Sequence, residues 1–270
     1  MPRDPDNRMV VVGNYKKWFA EKKQNSISDP FELDTLEWYV DGSVGAEETI
    51  QALASHYDAT ARRSDWFRQT NGSRMRELAL DVAEIDQDTH EKIIDFIHAI
   101  GDHFGPRETK DVHIWADWNE DAVFSGMTDS ELRRFINSEA FTAATLSAGF
   151  YDHVNIAFWS IIAGIEMKLH SPISIDEDVK VIIAAQYIIH ATNRILDCLP
   201  NHDLLRDKSD LWKGRVFNQK RWDMWKARFD ELRQNSELSD EARELARQAE
   251  VAMGKAERRR GKKPKQGKTK

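Results

Sequence analysis

Apolar residues along this chain recur at steps of three and four, almost never at two, which predicts a succession of amphipathic helices and no sheet of any size. Asp29 followed by Pro30 is a cap with a proline in the first turn; the helix it opens carries Phe31, Leu33 and Leu36 and ends near Asp41-Gly42-Ser43. Ala46 to about Arg62 repeats Ile50, Leu53, Ala54, Tyr57 and Ala61 at helical spacing. Ser73 is read as the cap of a helix with Met75, Leu78, Val82 and Ile85 on one face, and Asp88 with Glu91 as a capping box for Ile93, Ile97, Ile100 and Phe104. Gly105-Pro106 stops that run. Thr128 with Glu131 is a second box, and from Ser138 to His170 the pattern stays helical with a break at Gly149. The most hydrophobic segment, from Asp176 through Leu199 to Pro200, is apolar on several sides and is expected at the buried centre. Trp222, Trp225, Phe229 and Leu232 form an aromatic stripe, with Arg221, Lys226, Arg228 and Asp230 assigned to the solvent side. Ser239 caps a last helix with Ala242, Leu245, Ala249 and Met253. Met9 to Val12 is the one weak strand candidate.

The expected fold is therefore all-α: nine or ten helices packed as antiparallel hairpins in one domain over residues 29–254. Residues 1–28 are a polar arm whose Tyr15, Trp18 and Phe19 dock onto the body, since large rings are usually covered. Residues 105–127, with Trp115, Trp118 and Phe124, are the least regular part of the body. Residues 201–220 are a loop anchored by Leu204, Leu205, Leu211, Trp212 and Phe217. From 255 to 270 the chain is basic, of low complexity, and expected to be disordered.

Charge sharpens this division. The formal net charge is −7, yet residues 255–270 hold nine basic side chains against Glu257 alone, a +8 that leaves about −15 elsewhere. Cys198 is the single cysteine, so no intrachain disulfide and no cysteine zinc site can form, and a reducing compartment, cytoplasm or nucleus, is the simple expectation. The longest apolar stretch, Val154 to Leu169, is interrupted by Ser160, Glu166 and Lys168 and falls short of the roughly 18–20 residues a bilayer span needs.

Three pieces of sequence carry a family resemblance. The first is Asn137 to Leu146 followed by Ala157 to Glu166; the second is Asp178 to Ile189; the third is Leu211-Trp212-Lys213-Gly214 with Arg221 to Phe229. Their order and spacing resemble a fungal family of helical proteins known as domain of unknown function 3632, with the segment Arg76 to Ala99 fitting the start of the family domain. The resemblance covers roughly residues 45–235. It implies an all-helical fold and a fungal source, and brings no activity, cofactor or catalytic residue.

Candidate chemistry lies in polar groups on apolar helices. Gln186, His190 and Asn193 share a face of the central helix, Arg194 follows His190 by four, and Glu166 lies on another apolar helix. Leaving such groups buried and unpaired costs roughly 1–3 kcal/mol each. They are expected to pair, with Glu166 held by His190 or Arg194, or else to line a pocket together with Trp159. Glu166 and His170 stand at chelating spacing, but a divalent site needs three converging ligands, and none is expected. No nucleophile elbow, phosphate loop or dinucleotide turn occurs, so no catalytic residue is assigned and no cofactor is expected. The run Arg258-Arg259-Arg260-Gly261-Lys262-Lys263-Pro264-Lys265 has the form of a nuclear-import signal or a nucleic-acid arm, with a solvated tail that keeps an acidic protein soluble as the alternative, and nucleic acid has no other place to touch. The leading expectation is a non-enzymatic scaffold or adaptor for another protein, with Trp115 and Trp118 as partner-surface residues. A small-molecule pocket between the central helices is the alternative.

Overall fold

Local signals start and stop most of the helices. The computed structural model describes residues 14–25, 29–61, 71–105, 124–150, 154–199, 202–203 and 209–262. These residues form ten α-helices and one two-strand ladder. The sequence reading draws a single helical domain; by its contacts the chain divides into two compact units, Met1–Asp111 and Val112–Lys270.

The first unit holds five helices: α1 (Asn14–Asn25), α2 (Pro30–Asp41), α3 (Ala46–Ala61), α4 (Asn71–Ile85) and α5 (His90–Phe104). The Asp29 carboxylate accepts from the Phe31 N–H at 2.9 Å, and Gly42 ends α2 at φ 83°, with its own N–H and that of Ser43 bonded back to Tyr39 and Trp38. Leu33, Leu36 and Val40 of α2, Ile50 and Leu53 of α3, Val82 of α4, and Ile93, Phe96 and Ile97 of α5 are buried at the expected helical steps. The described part of the arm, residues 14–25, is helical: α1 packs on α2 and α4 and its Phe19 is fully buried. Two predicted starts are corrected. α4 begins at Asn71, before Ser73. The Asp88–Glu91 box does not form, because Asp86 takes the Asp88 N–H on its own carboxylate at 3.0 Å, starts a short 3₁₀ turn over Gln87–Thr89, and leaves α5 to begin at His90.

The second unit contains α6 (Asp129–Ala148), α7 (Asn155–Ile161), α8 (Ile175–Asp197), α9 (Gln219–Leu232) and α10 (Asp240–Lys262), with β1 (His202–Asp203) paired antiparallel to β2 (Val216–Phe217). Thr128 and Glu131 form the predicted capping box, and Gly149 ends α6 at φ 85°. The central helix is capped by Ser174 and begins at Ile175, not at Asp176, because Ser174 and Glu177 make a reciprocal box. As expected, α8 is the centre: every residue from Val181 to Ile188 is buried, and it packs on α6, α7 and α10. The run that follows Gly149 is shorter than predicted. α7 passes into a π turn over Ile162–Glu166 and the chain then extends at Met167.

Gly164 in that turn lies directly against the backbone of α8. A Cβ there would lie 2.2 Å from the Lys180 carbonyl oxygen and 2.6 Å from Ala184 Cβ on α8, so only hydrogen fits. The last helix also runs further than its predicted end near Lys255, continuing through Lys262. Ala242, Ala246, Ala249, Met253 and Ala256 lie along its buried side, which carries the apolar stripe past Lys255 and keeps the helix attached. Residues 263–270 lie outside the described part.

Candidate functional site

The π turn places Glu166 in the buried interior of the second unit. Both its carboxylate oxygens are occupied. Oε1 accepts from Arg221 Nε at 2.6 Å and from Trp225 Nε1 at 2.5 Å, and Oε2 accepts from Arg221 Nη2 at 2.7 Å. The acid and the guanidinium are fully buried. Arg221 also donates to the Gly214 carbonyl at 3.1 Å and lies 5.9 Å from the Trp212 ring centroid. The Glu166 carbonyl accepts from the N–H groups of Asp210 and Leu211, and the Lys168 N–H donates to the Asp210 carboxylate. These bonds turn the chain out of the helix after Glu166, which is why the run stops before His170.

This overturns two expectations. Arg221 is not on the solvent side of the aromatic stripe; it is buried beside Trp222 and Trp225, one residue before the stripe, because it answers the charge of Glu166. Glu166 is held by Arg221 and Trp225, not by His190 or Arg194. The predicted stripe itself stands, with Trp222, Trp225, Phe229 and Leu232 all buried. Around it, Phe217 stacks on Trp225 at 4.9 Å and meets Phe158 at 4.8 Å.

The other candidates part company. Gln186 is buried and bonds His190 at 3.1 Å, while His190, Asn193 and Arg194 are exposed. Trp159 is half-buried. His170 is far more exposed than Glu166 and bonds Glu177 at 2.8 Å, so the two do not chelate. Among the described residues, no three His, Cys, Asp or Glu side chains converge as a metal site. Trp115 and Trp118 lie outside the described residues. Of the basic run, Arg258, Arg259 and Arg260 are exposed on the last turns of α10, whose final residue is Lys262; Lys263 and Lys265 lie outside.

Sequence reasoning missed a second buried acid. Glu139 of α6 accepts from the Tyr187 hydroxyl of α8 at 3.0 Å. Burial pushes its carboxyl up to about 7, with the tyrosine bond opposing. A lone acid amid Ala140, Phe141 and Ala143 was the available signal.

On the surface, α8 and α10 border an open cleft of about 470 Å³. Ile189, Thr192 and Asn193 form one wall, and Val251, Lys255 and Arg259 stand on the other. Val251 is 40 % exposed, unusually so for an aliphatic side chain on a packed helix. The cleft therefore offers an apolar floor flanked by cations, with amide and hydroxyl groups opposite.

A family model described as "Protein of unknown function (DUF3632)" matches residues 77–229, from α4 into α9. No curated protein and no solved structure matches the chain. No helix of the described residues is long and apolar enough to cross a membrane.

Proposed function

The chain belongs to the DUF3632 family, and from that premise we propose that it is a non-enzymatic interaction protein, a scaffold or adaptor that seats an acidic segment of another protein in the cleft between α8 and α10. The observation that carries this is the composition of the cleft: exposed Val251 beside Lys255 and Arg259, which are spaced i, i+4 on one helix. Two facing helices with apolar side chains between them suit a short amphipathic segment, and the cations select for acidic residues along its edge. A cationic strip of this kind stands out on a body whose remaining charge is strongly negative. The polar groups of the core support the same reading, since Glu166 and Arg221 are held by internal bonds.

The test is a photo-crosslinking side chain at Val251, introduced in the protein's native cells. A polypeptide adduct that disappears when Lys255 and Arg259 are changed to Glu supports the adaptor reading. An adduct of small mass, read by native mass spectrometry, replaces it with the small-molecule reading, which the cleft volume also suits. Absence of any adduct overturns both.

The same reading puts the protein in the cytoplasm or nucleus, with Arg258, Arg259, Arg260, Lys262, Lys263 and Lys265 as the import signal. Loss of nuclear signal on changing Arg258, Arg259, Lys263 and Lys265 to Gln is the check. An unchanged distribution rejects the import role.

A further inference from the structure

The donors lining the cleft between α8 and α10 fall into two sets. Arg247 and Gln248 both donate to the Glu244 carboxylate, at 2.6 to 3.0 Å, and the Thr192 hydroxyl donates to the Ile188 carbonyl. Asn193, Lys255 and Arg259 are exposed, and among the described residues none of these three side chains has a hydrogen-bond or ion-pair partner. No carboxylate lines the cleft. Elsewhere on α10 the cations are answered: Arg243 pairs with Asp240 and Arg247 with Glu244, each three residues back, and Arg260 donates to the Leu196 carbonyl at 3.0 Å. Lys255 and Arg259 have no acid three or four residues away in either direction, so their own helix cannot neutralise them.

Hydrogen bonds at both ends of the helix pair fix how these groups stand. Ser239 donates to Asp178 near the two helix starts, and Arg260 donates to Leu196 near the two ends, so α8 and α10 run side by side in the same direction. Asn193, three residues before Leu196, is therefore level with the stretch from Lys255 to Arg259. Side chains one turn apart on a helix start about 5–6 Å from each other. Two uncompensated positive charges at that spacing match one dianion. A carboxylate answers one of them, whereas a phosphate monoester carries about −1.5 to −2 and offers three acceptor oxygens, enough for both cations and the Asn193 amide. Ile189 and the exposed Val251 stand beside these donors, and about 470 Å³ is far more room than a free phosphate fills. The anion therefore belongs to a longer ligand with an apolar part. A nucleic-acid strand fits less well, because it would lay a row of single charges over a body that is itself strongly negative.

We infer that the segment seated in this cleft is acidic through phosphorylation: a phosphoserine or phosphothreonine of the partner protein, held by Lys255, Arg259 and Asn193, with an apolar neighbour against Val251. The inference rests on the reading of the cleft as a protein-docking site. It makes docking conditional on the partner's phosphorylation, since the unmodified hydroxyl brings no charge to the two cations.

The probes are three peptide libraries of random sequence around one fixed central residue, which is phosphoserine, serine or glutamate, passed over the immobilised full chain. The phosphoserine library should be retained at least about ten-fold better than the other two. Lys255→Gln with Arg259→Gln should abolish that preference, and Asn193→Ala, on the facing helix, should reduce it. Both variants should unfold at the wild-type temperature, because the three side chains are exposed and hold nothing in the fold. Equal retention of the phosphoserine and glutamate libraries, with both lost in the double variant, overturns the phosphate inference and leaves the acidic-segment reading standing. Retention of none of the three overturns both. Inorganic phosphate binding as tightly as the retained peptides, or a short single-stranded oligonucleotide binding more tightly, replaces the phosphorylated partner with a free anion or a nucleic acid. Should the double variant not fold, Asn193→Ala decides: an unchanged preference for phosphoserine overturns the assignment.

Discussion

Glu166 and Arg221 meet as a two-point pair, 2.6 and 2.7 Å apart, with neither side chain reaching solvent. The pair joins the π turn after α7 to the first turn of α9, and Trp225 adds a third donor from the same helix. Taking away one member strands the other as a buried charge, which costs about 3–5 kcal/mol. Urea titration of Arg221→Met should show a loss of that order. The double change Glu166→Gln with Arg221→Met should recover a good part of it, because no charge is then left alone. A single variant as stable as wild type would mean that the two groups are wet.

Gly164 should tolerate no side chain. A methyl group would sit inside contact distance of the Lys180 carbonyl on α8, and both sides of that contact are backbone or nearly so. Gly164→Ala is expected to cost several kcal/mol, at or above the roughly 1–3 kcal/mol usual for overpacking. The same change at Gly45, where a Cβ meets nothing within 4 Å, serves as the control. Thermal unfolding of the two variants side by side reads the difference.

Glu139 gives the second unit a pH dependence of unusual sign. Its folded value of about 7 lies above the ordinary 4.5, so the folded state holds the proton more tightly than the unfolded state does. The contribution of this acid is therefore complete below pH 4.5 and declines as pH climbs toward 7 and past it. The span amounts to roughly 3 kcal/mol. In Glu139→Gln the decline between those two pH values should flatten. An identical pH profile for variant and wild type would show that the carboxyl is not buried as described.

The two capping boxes should be separable. Thr128→Ala and Ser174→Ala each remove an acceptor from a helix start and should each cost about 1 kcal/mol. At Glu177 burial works against the charged form, but donors from Ser174 and His170 outweigh it and hold the carboxyl at about 2. Its share of stability is thus present above pH 4.5 and fades as pH falls toward 2, the reverse of Glu139. Acid titration of Glu177→Gln against wild type should therefore show the difference between them shrink as pH falls from 4.5 toward 2.

Helix periodicity revealed most of the fold. The caps at Asp29, Thr128 and Ser239, the stop at Gly149 and the buried centre over α8 were all legible, because each depends on residues within one or two turns. Of the three misplaced starts, two share a reason: Ser174 and Asp86 out-compete Asp176 and Asp88, and side chains only two residues apart give the same local signal. Arg221 was unreadable in sequence. Its helical angle put it near the edge of the aromatic stripe, and only Glu166, fifty-five residues earlier, draws it inward. Gly164 resembles any glycine in a helix until α8 is laid against it. The cleft residues Val251, Lys255 and Arg259 follow one another by four along α10, but the helix end predicted near Lys255 set Arg259 apart from the other two.

Glu257 is the single acid in the basic C-terminal run, and it accepts from Trp222 Nε1 at 2.8 Å and from Lys226 Nζ at 2.6 Å. Three residues on, Arg260 donates to the Leu196 carbonyl at 3.0 Å. A truncation designed to strip the positive charge by cutting at residue 254 would thus also free an indole and an ammonium on α9 and take Ala256 out of the buried side of α10. Any loss of binding in such a protein would confuse damage with missing charge. Trimming after Lys262, and neutralising Arg258 and Arg259 in place, keeps the two effects apart.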